Sequence, residues 1–187
     1  SLNTIVHQLQ PSRVITIGQS MGAYGALLFG LLLPVDQIVT FAGLSTINPQ
    51  LAKLWNDQRY LSAMQKVQLS PTPHKQFDLL PLLRDRNVHQ NRPQIDIYFG
   101  TFPSDVASAA NVPLNHGAVH VDALHAERIG AAYPKCRLHP HPNVSHLIAQ
   151  HLIETTEMDA ILRRHILDEE SASPTNSVPD QRGRGAS

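Results

Sequence analysis

Gly18-Gln19-Ser20-Met21-Gly22 reads G-x-S-x-G, and its flanks are of the kind that turn such a serine into a nucleophile. Before it runs Arg13-Val14-Ile15-Thr16-Ile17, a short β-branched segment bounded upstream by Pro11 and Ser12. After it runs the apolar stretch Ala23 to Leu33, stopped by Pro34. A serine on a sharp strand-to-helix turn takes a strained backbone conformation, so small flanks are expected, and both are glycine. The turn lifts the Ser20 hydroxyl clear of a sheet and aims the first free N–H groups of the helix at the same spot. The N–H of Met21 is the candidate oxyanion donor, placed where negative charge would develop on a carbonyl oxygen under attack.

A serine hydroxyl is a poor nucleophile unless a base takes its proton. Eleven histidines compete for that role. His146 is the best placed, following the last expected strand and the loop Pro140 to Ser145 and opening the final helix. His139 and His141 fall within or at the end of that strand, where they point along the sheet. His151 lies one turn further down the helix. An acid should orient the imidazole and stabilise its charged form. Two aspartates follow the third expected strand. Asp105 lies five residues past Gly100, and Asp122 opens the helical segment Val121 to Arg128. Spacing alone does not separate them: a turn aspartate and a helix-dipole aspartate both belong at such positions.

The elements that must position these groups alternate along the chain. Helices are expected over about 2–9, 21–33, 49–67, 77–86, 121–133 and 147–167, the last interrupted near Thr155. Strands are expected over about 13–18, 37–42, 95–99 and 135–139, the last edge-like. Strands separated by helices imply parallel pairing with right-handed crossovers, an α/β class with helices on both faces. Active groups in such sheets gather beyond the carboxyl ends of the strands, where Ser20 lies. Residues 44–93 form a polar, proline-punctuated helical insert, and Trp55, Tyr60 and Met64 in it are expected to line a pocket or to form apolar faces of cover helices. The domain is expected to span 1–167. Residues 168–187 carry almost nothing apolar and are expected to form a disordered tail.

The chain order Ser20, then an aspartate after a later strand, then His146 after the last strand, resembles the α/β-hydrolase superfamily. Gly18 to Leu27 and Asn143-Val144-Ser145-His146-Leu147 carry the resemblance, which covers roughly residues 1–167. The segment Asp122-Ala123-Leu124-His125-Ala126-Glu127-Arg128 is similar to the acid-to-helix segment of small bacterial members, which favours Asp122 over Asp105 as the acid. The resemblance implies a three-layer αβα fold and a serine hydrolase cleaving an ester or related acyl bond through an acyl-enzyme. Acyl transfer by the same triad, or a non-catalytic binding module, are the alternatives. Members of the superfamily carry about eight strands, whereas four are expected here. The others would precede the nucleophile strand, one of them followed by the loop that gives a second oxyanion N–H. The chain also opens without methionine, on an amphipathic helix feeding that strand, and is expected to be the C-terminal part of a longer protein.

Composition narrows the partners. Fifteen basic and fifteen acidic residues give a formal net charge of zero, which argues against a nucleic-acid binder; the partner that the resemblance implies is a small-molecule acyl substrate. The longest apolar run, Ala26 to Leu33, is too short to span a bilayer. No cofactor or metal is expected. Gly18 to Gly25 lacks the lysine of a phosphate loop and the spacing of a dinucleotide fingerprint. His116 and His120, and the group His139, His141 and His146, come with no cysteine pair and no H-E-x-x-H. The single cysteine, Cys136, reads as a small buried residue entering a strand and fits a reducing, cytoplasmic setting.

Overall fold

The computed structural model describes residues 2–70, 77–85, 93–102 and 120–167. Asp105, His116 and the expected tail lie outside the described residues. Strands β1 (Ile15–Gln19), β2 (Gln37–Phe41), β3 (Gln94–Gly100) and β4 (Cys136–His141) form one sheet in that order, every pair parallel. β1, β2 and β3 each lie where a run rich in β-branched or aromatic residues ends in a glycine, a turn or a loop, whereas β4 has no β-branched residue. The register sets Gln19 beside Phe41, Phe41 beside Tyr98 and Gly100 beside His141, so all four carboxyl ends share one rim.

The described helices are α1 (Leu2–Leu9), α2 (Met21–Leu32), α3 (Pro49–Leu54), α4 (Leu61–Gln68), α5 (Leu80–Arg84), α6 (Val121–Ala132), α7 (Ile148–Glu154) and α8 (Glu157–Ile166). Alternation along the strands splits the core in two. Ile38, Ile95, Ile97 and Phe99 face Leu27 and Leu31 of α2, Leu83 of α5, and Ala126 and Ile129 of α6. Val39, Phe41 and Tyr98 face Ile148 and Leu152 of α7 and Ile161 of α8. The result is a three-layer αβα arrangement. Ile38, Ile95 and Ile97 are fully buried, each contributing about 1.5–3 kcal/mol by leaving water.

Both edges are legible in the residues. Pro140 sits in β4, where a missing N–H is tolerated because β4 is an edge among the described residues. At the other edge, β1 pairs on one side only among the described residues, and Ile17 is exposed. Between β3 and β4 the second face carries a polar cluster. Asp96 is fully buried. It accepts from Arg137 Nε at 2.8 Å and NH2 at 2.9 Å, from Gln37 Nε2 at 2.9 Å, and meets His139 Nε2 at 2.8 Å. Gln37 Nε2 also donates to His165 Nδ1 at 2.6 Å, and His165 Nε2 meets the Tyr98 hydroxyl at 2.9 Å. The cluster ties α8 to the sheet.

One expected helix is two. The stretch 49–67 breaks after Leu54 because Asn56 takes φ 57. Its N–H bonds the Lys53 carbonyl at 3.1 Å, and the Asp57 N–H bonds the Ala52 carbonyl at 2.8 Å. This is a Schellman ending with asparagine in the left-handed position. It turns residues 57–60 across the rim of the sheet before α4 begins. The helix expected at 77–86 is likewise only the single short helix α5.

Candidate active site

Ser20 stands between β1 and α2 with φ 55 and ψ −119, a region that a side-chain-bearing residue occupies only when its surroundings force it. Its N–H donates to the Phe41 carbonyl at 2.8 Å, and its carbonyl accepts from Ala23 at 3.0 Å and Tyr24 at 3.4 Å. The elbow is thus held to β2 on one side and to the helix on the other. A Cβ on Gly18 would lie 2.4 Å from the Gly22 carbonyl oxygen, so position 18 admits only glycine. A Cβ on Gly22 meets nothing within 4 Å. The expectation that both flanks must be small therefore holds for Gly18 alone, because Gly22 turns its open side to free space. The N–H of Met21, the first helical residue, has no acceptor within its own helix and lies next to Ser20 in the chain.

His146 reaches Ser20 from a loop beyond β4. Asn143 takes φ 61 and reverses the chain after Pro142. The Val144 carbonyl then accepts from the Phe102 N–H at 2.9 Å, laying the loop against the end of β3. Gly100 makes that approach feasible, since a Cβ there would sit 2.1 Å from the Val144 oxygen. His146 Nε2 lies 2.8 Å from Ser20 Oγ. Its Nδ1 lies 2.9 Å from Asp122 Oδ2 and 3.2 Å from Oδ1. Asp122 is the second residue of α6, where the helix dipole favours a negative charge, and it is buried. Burial pushes its carboxyl up, but the hydrogen bond from His146 and the charge of Arg59 outweigh that and hold it below the usual carboxylate range.

Three neighbours in the insert complete the site, and two of them, Asp57 and Arg59, are not among the residues singled out in the sequence. Asp57 closes an Asx turn on the Arg59 N–H at 3.2 Å, and the Arg59 side chain returns to it through Nε at 2.8 Å and NH2 at 2.9 Å. Arg59 NH1 donates to Asp122 Oδ1 at 2.6 Å. Although burial pushes the Asp57 carboxyl up, the hydrogen bonds and charge of Arg59, with His125 Nε2 nearby at 3.6 Å, hold it well below its ordinary value. The opposite balance raises Arg59, where Asp57 and Asp122 outweigh desolvation. Tyr60 places its hydroxyl 2.5 Å from Ser20 Oγ and its ring edge toward His146, with centroids 6.5 Å apart. An Asn-Asp pair after a helix, with arginine two residues on, is the local signal that accompanies this turn. Only the fold brings it to Asp122.

The remaining candidates fall elsewhere. His125 is buried, accepts from the Ser45 N–H at 2.9 Å, and turns its Nε2 toward Asp57 at 3.6 Å. Burial lowers its basicity. Trp55 meets the edge of His125 and lies under Arg128, and Met64 is core. His139 stacks on Tyr98 with centroids 4.3 Å apart, against the face of the sheet as expected. Burial pushes the Cys136 thiol up to about 12, so it stays protonated at neutral pH. Among the described residues no helix is long and apolar enough to cross a membrane, and no three acidic, histidine or cysteine side chains are grouped to hold a metal.

No protein-family model and no curated protein matches the sequence. Solved structures do match in shape. The 2,6-dihydroxy-pseudo-oxynicotine hydrolase superposes with a TM-score of 0.56 at 16% identity, over 93% of this chain and 48% of that one. MenH from S. aureus gives 0.50 at 14% identity, over 86% and 70%. MGS-MChE2, an α/β-hydrolase enzyme from a sediment metagenome of the Mar Chica lagoon, gives 0.48 at 14% identity, over 87% and 67%. This chain therefore spans about half the length of the first of these and about two thirds of the other two. With four parallel strands, helices on both faces and the carboxyl-end rim occupied as described, the chain has the α/β-hydrolase fold.

Proposed function

We propose that this protein is a serine hydrolase that cleaves an ester or related acyl bond of a small molecule. Ser20 is the nucleophile, His146 the general base and then acid, and Asp122 the group that holds His146. The observation that carries the reading is the chain of contacts Ser20 Oγ to His146 Nε2 at 2.8 Å and His146 Nδ1 to Asp122 Oδ2 at 2.9 Å, set at a left-handed elbow. With Nδ1–H donated to the carboxylate, Nε2 is free to take the serine proton. Attack forms the Oγ–C bond and moves the carbonyl π pair onto oxygen, beside the Met21 N–H. His146 then returns the proton to the leaving oxygen. Water attacks the acyl-enzyme by the same steps in reverse order. Asp105 is the weaker choice of acid, since Asp122 accounts for the Nδ1 contact.

A second reading has one observation in its favour. Arg59 NH1 also lies 2.6 Å from His146 Nδ1. A guanidinium only donates, so this contact favours the tautomer in which Nδ1 accepts and Nε2–H faces Ser20. In that tautomer His146 is no base, and the fold would serve as a binding module. Fluorophosphonate labelling followed by peptide mass spectrometry decides between them. Modification at Ser20, abolished in Ser20→Ala and His146→Ala, supports the hydrolase. An unmodified Ser20 in the folded protein overturns it.

A further inference from the structure

We propose that the Tyr60 hydroxyl is a second hydrogen-bond donor for the oxyanion, delivered by the insert rather than by the sheet. The proposal rests on the reading of Ser20 as the nucleophile. Ser20 has a single hydroxyl hydrogen, and in the base-competent tautomer it points to His146 Nε2 at 2.8 Å. Tyr60, 2.5 Å from the same Oγ, must then be the donor to a serine lone pair. Attack forms the Oγ–C bond while His146 takes the proton, so Oγ keeps two lone pairs as a bridging oxygen. That oxygen is a weaker acceptor than the new anionic oxygen on the carbon bonded to it, which draws the Tyr60 O–H across. The two oxygens are then separated by one bond angle, so the phenol transfers its hydrogen bond with a small swing and keeps its proton throughout.

The position of the ring is fixed by what precedes it. Asn56 reverses the chain after α3, and Asp57 fixes both the backbone and the side chain of Arg59. Arg59 is in turn anchored to Asp122, and Tyr60 follows as the residue capping α4. Its ring meets the His146 ring edge-on. A donor held in this way needs little reorganisation when charge develops, which is the condition under which such donors are effective. The arrangement also couples chemistry to the insert: among the described residues, residues 57–60 must lie over the rim for Tyr60 to join the Met21 N–H as a donor.

The test compares wild type with Tyr60→Phe, which keeps the ring and removes only the hydroxyl. Readouts are the fluorophosphonate labelling rate at Ser20 and the hydrolysis of aryl esters with good and poor leaving groups. Loss of one oxyanion donor is expected to lower kcat and the labelling rate by about 100-fold, with KM unchanged. The loss should be equal across leaving groups, and the thermal midpoint should hold. Unchanged or faster labelling overturns the proposal. So does a loss that grows with leaving-group basicity, which would move Tyr60 to the departing oxygen. If wild type leaves Ser20 unlabelled, the nucleophile reading fails first and the Tyr60 role fails with it.

Discussion

Arg59 donates to Asp122 Oδ1 at 2.6 Å while its other nitrogens hold Asp57 at 2.8 and 2.9 Å, so one guanidinium lies between two buried carboxylates. The exposures are 7% for Arg59, 1% for Asp57 and 5% for Asp122. Two anions this deep cannot face each other without the cation. Replacing Arg59 with Met should cost about 3–5 kcal/mol, because it strands the charges rather than merely losing a bond. The double variant Asp57→Asn with Arg59→Met should recover part of that loss. Urea unfolding measures both. A single variant as stable as wild type would mean that the clamp does not form.

The two acid candidates part company by substitution. Asp122→Asn keeps the shape of the site but removes the negative charge and replaces one carboxylate oxygen with an amide nitrogen, which donates and cannot accept from Nδ1–H. Loss of the oriented tautomer is expected to lower kcat by about 10⁴-fold. Asp105→Asn is expected to leave the rate within about a factor of two, because Asp122 already fills the acid's role in this reading. Steady-state kinetics on one activated ester reads both. The reverse pattern would transfer the acid to Asp105.

The strands and the elbow were legible because their signals are local. Val14-Ile15-Thr16-Ile17, Ile38-Val39-Thr40-Phe41 and Ile95-Asp96-Ile97-Tyr98-Phe99 each form a compact β-rich run, and Gly18 must be glycine wherever the turn is made. Asp122 was legible only through its resemblance to a family segment. Spacing left it level with Asp105, since helix-opening and turn aspartates are both common. Asp57 and Arg59 were not legible. Their role depends on Asn56 adopting a left-handed conformation, which an asparagine inside a polar stretch does not announce. A polar insert presents the same composition whether it covers a pocket or reaches into it. His146 was singled out because it follows the last expected strand and its loop and opens the final helix, a positional constraint of the parallel sheet rather than a property of the residue.

Stability should fall with acid in two stages. Burial lowers the basicity of His125 and His165 in the folded protein relative to the ordinary value of 6.5. For His165, Asp96 opposes the shift, while Arg137, His139 and Arg164 support it. Its Nδ1 accepts from Gln37, so protonation there breaks a buried bond. A base depressed in the native state lets the unfolded chain bind more protons, so stability is lost as pH falls below about 6.5. Asp57, Asp96 and Asp122 are depressed from 3.8, so their contribution is complete above that value and is lost as pH falls through their folded values. Thermal midpoints between pH 8 and pH 2 should therefore drop gently below about 6.5 and steeply below about 3.8. In His165→Gln the upper slope should flatten. A single transition confined to the lower window would contradict the neutral burial of His165.

Gly100 offers the sharpest steric test of how His146 is delivered. A Cβ there would stand 2.1 Å from the Val144 carbonyl oxygen and 2.3 Å from that of Ser145. Both are backbone atoms and cannot rotate aside. Gly100→Ala must push the loop away from β3, and His146 moves with it, away from Ser20. Overpacking of this kind costs about 1–3 kcal/mol, and the shift of the base should slow Ser20 labelling by a larger factor than the stability change alone would suggest. Gly25→Ala is the matched control, because a Cβ there meets nothing within 4 Å and lies inside α2. It should stabilise by up to about 1 kcal/mol, as alanine does over glycine in a helix, with labelling unchanged. If Gly100→Ala and Gly25→Ala behaved alike, the loop would not rest on the end of β3, and the placement of His146 beside Ser20 would need another cause.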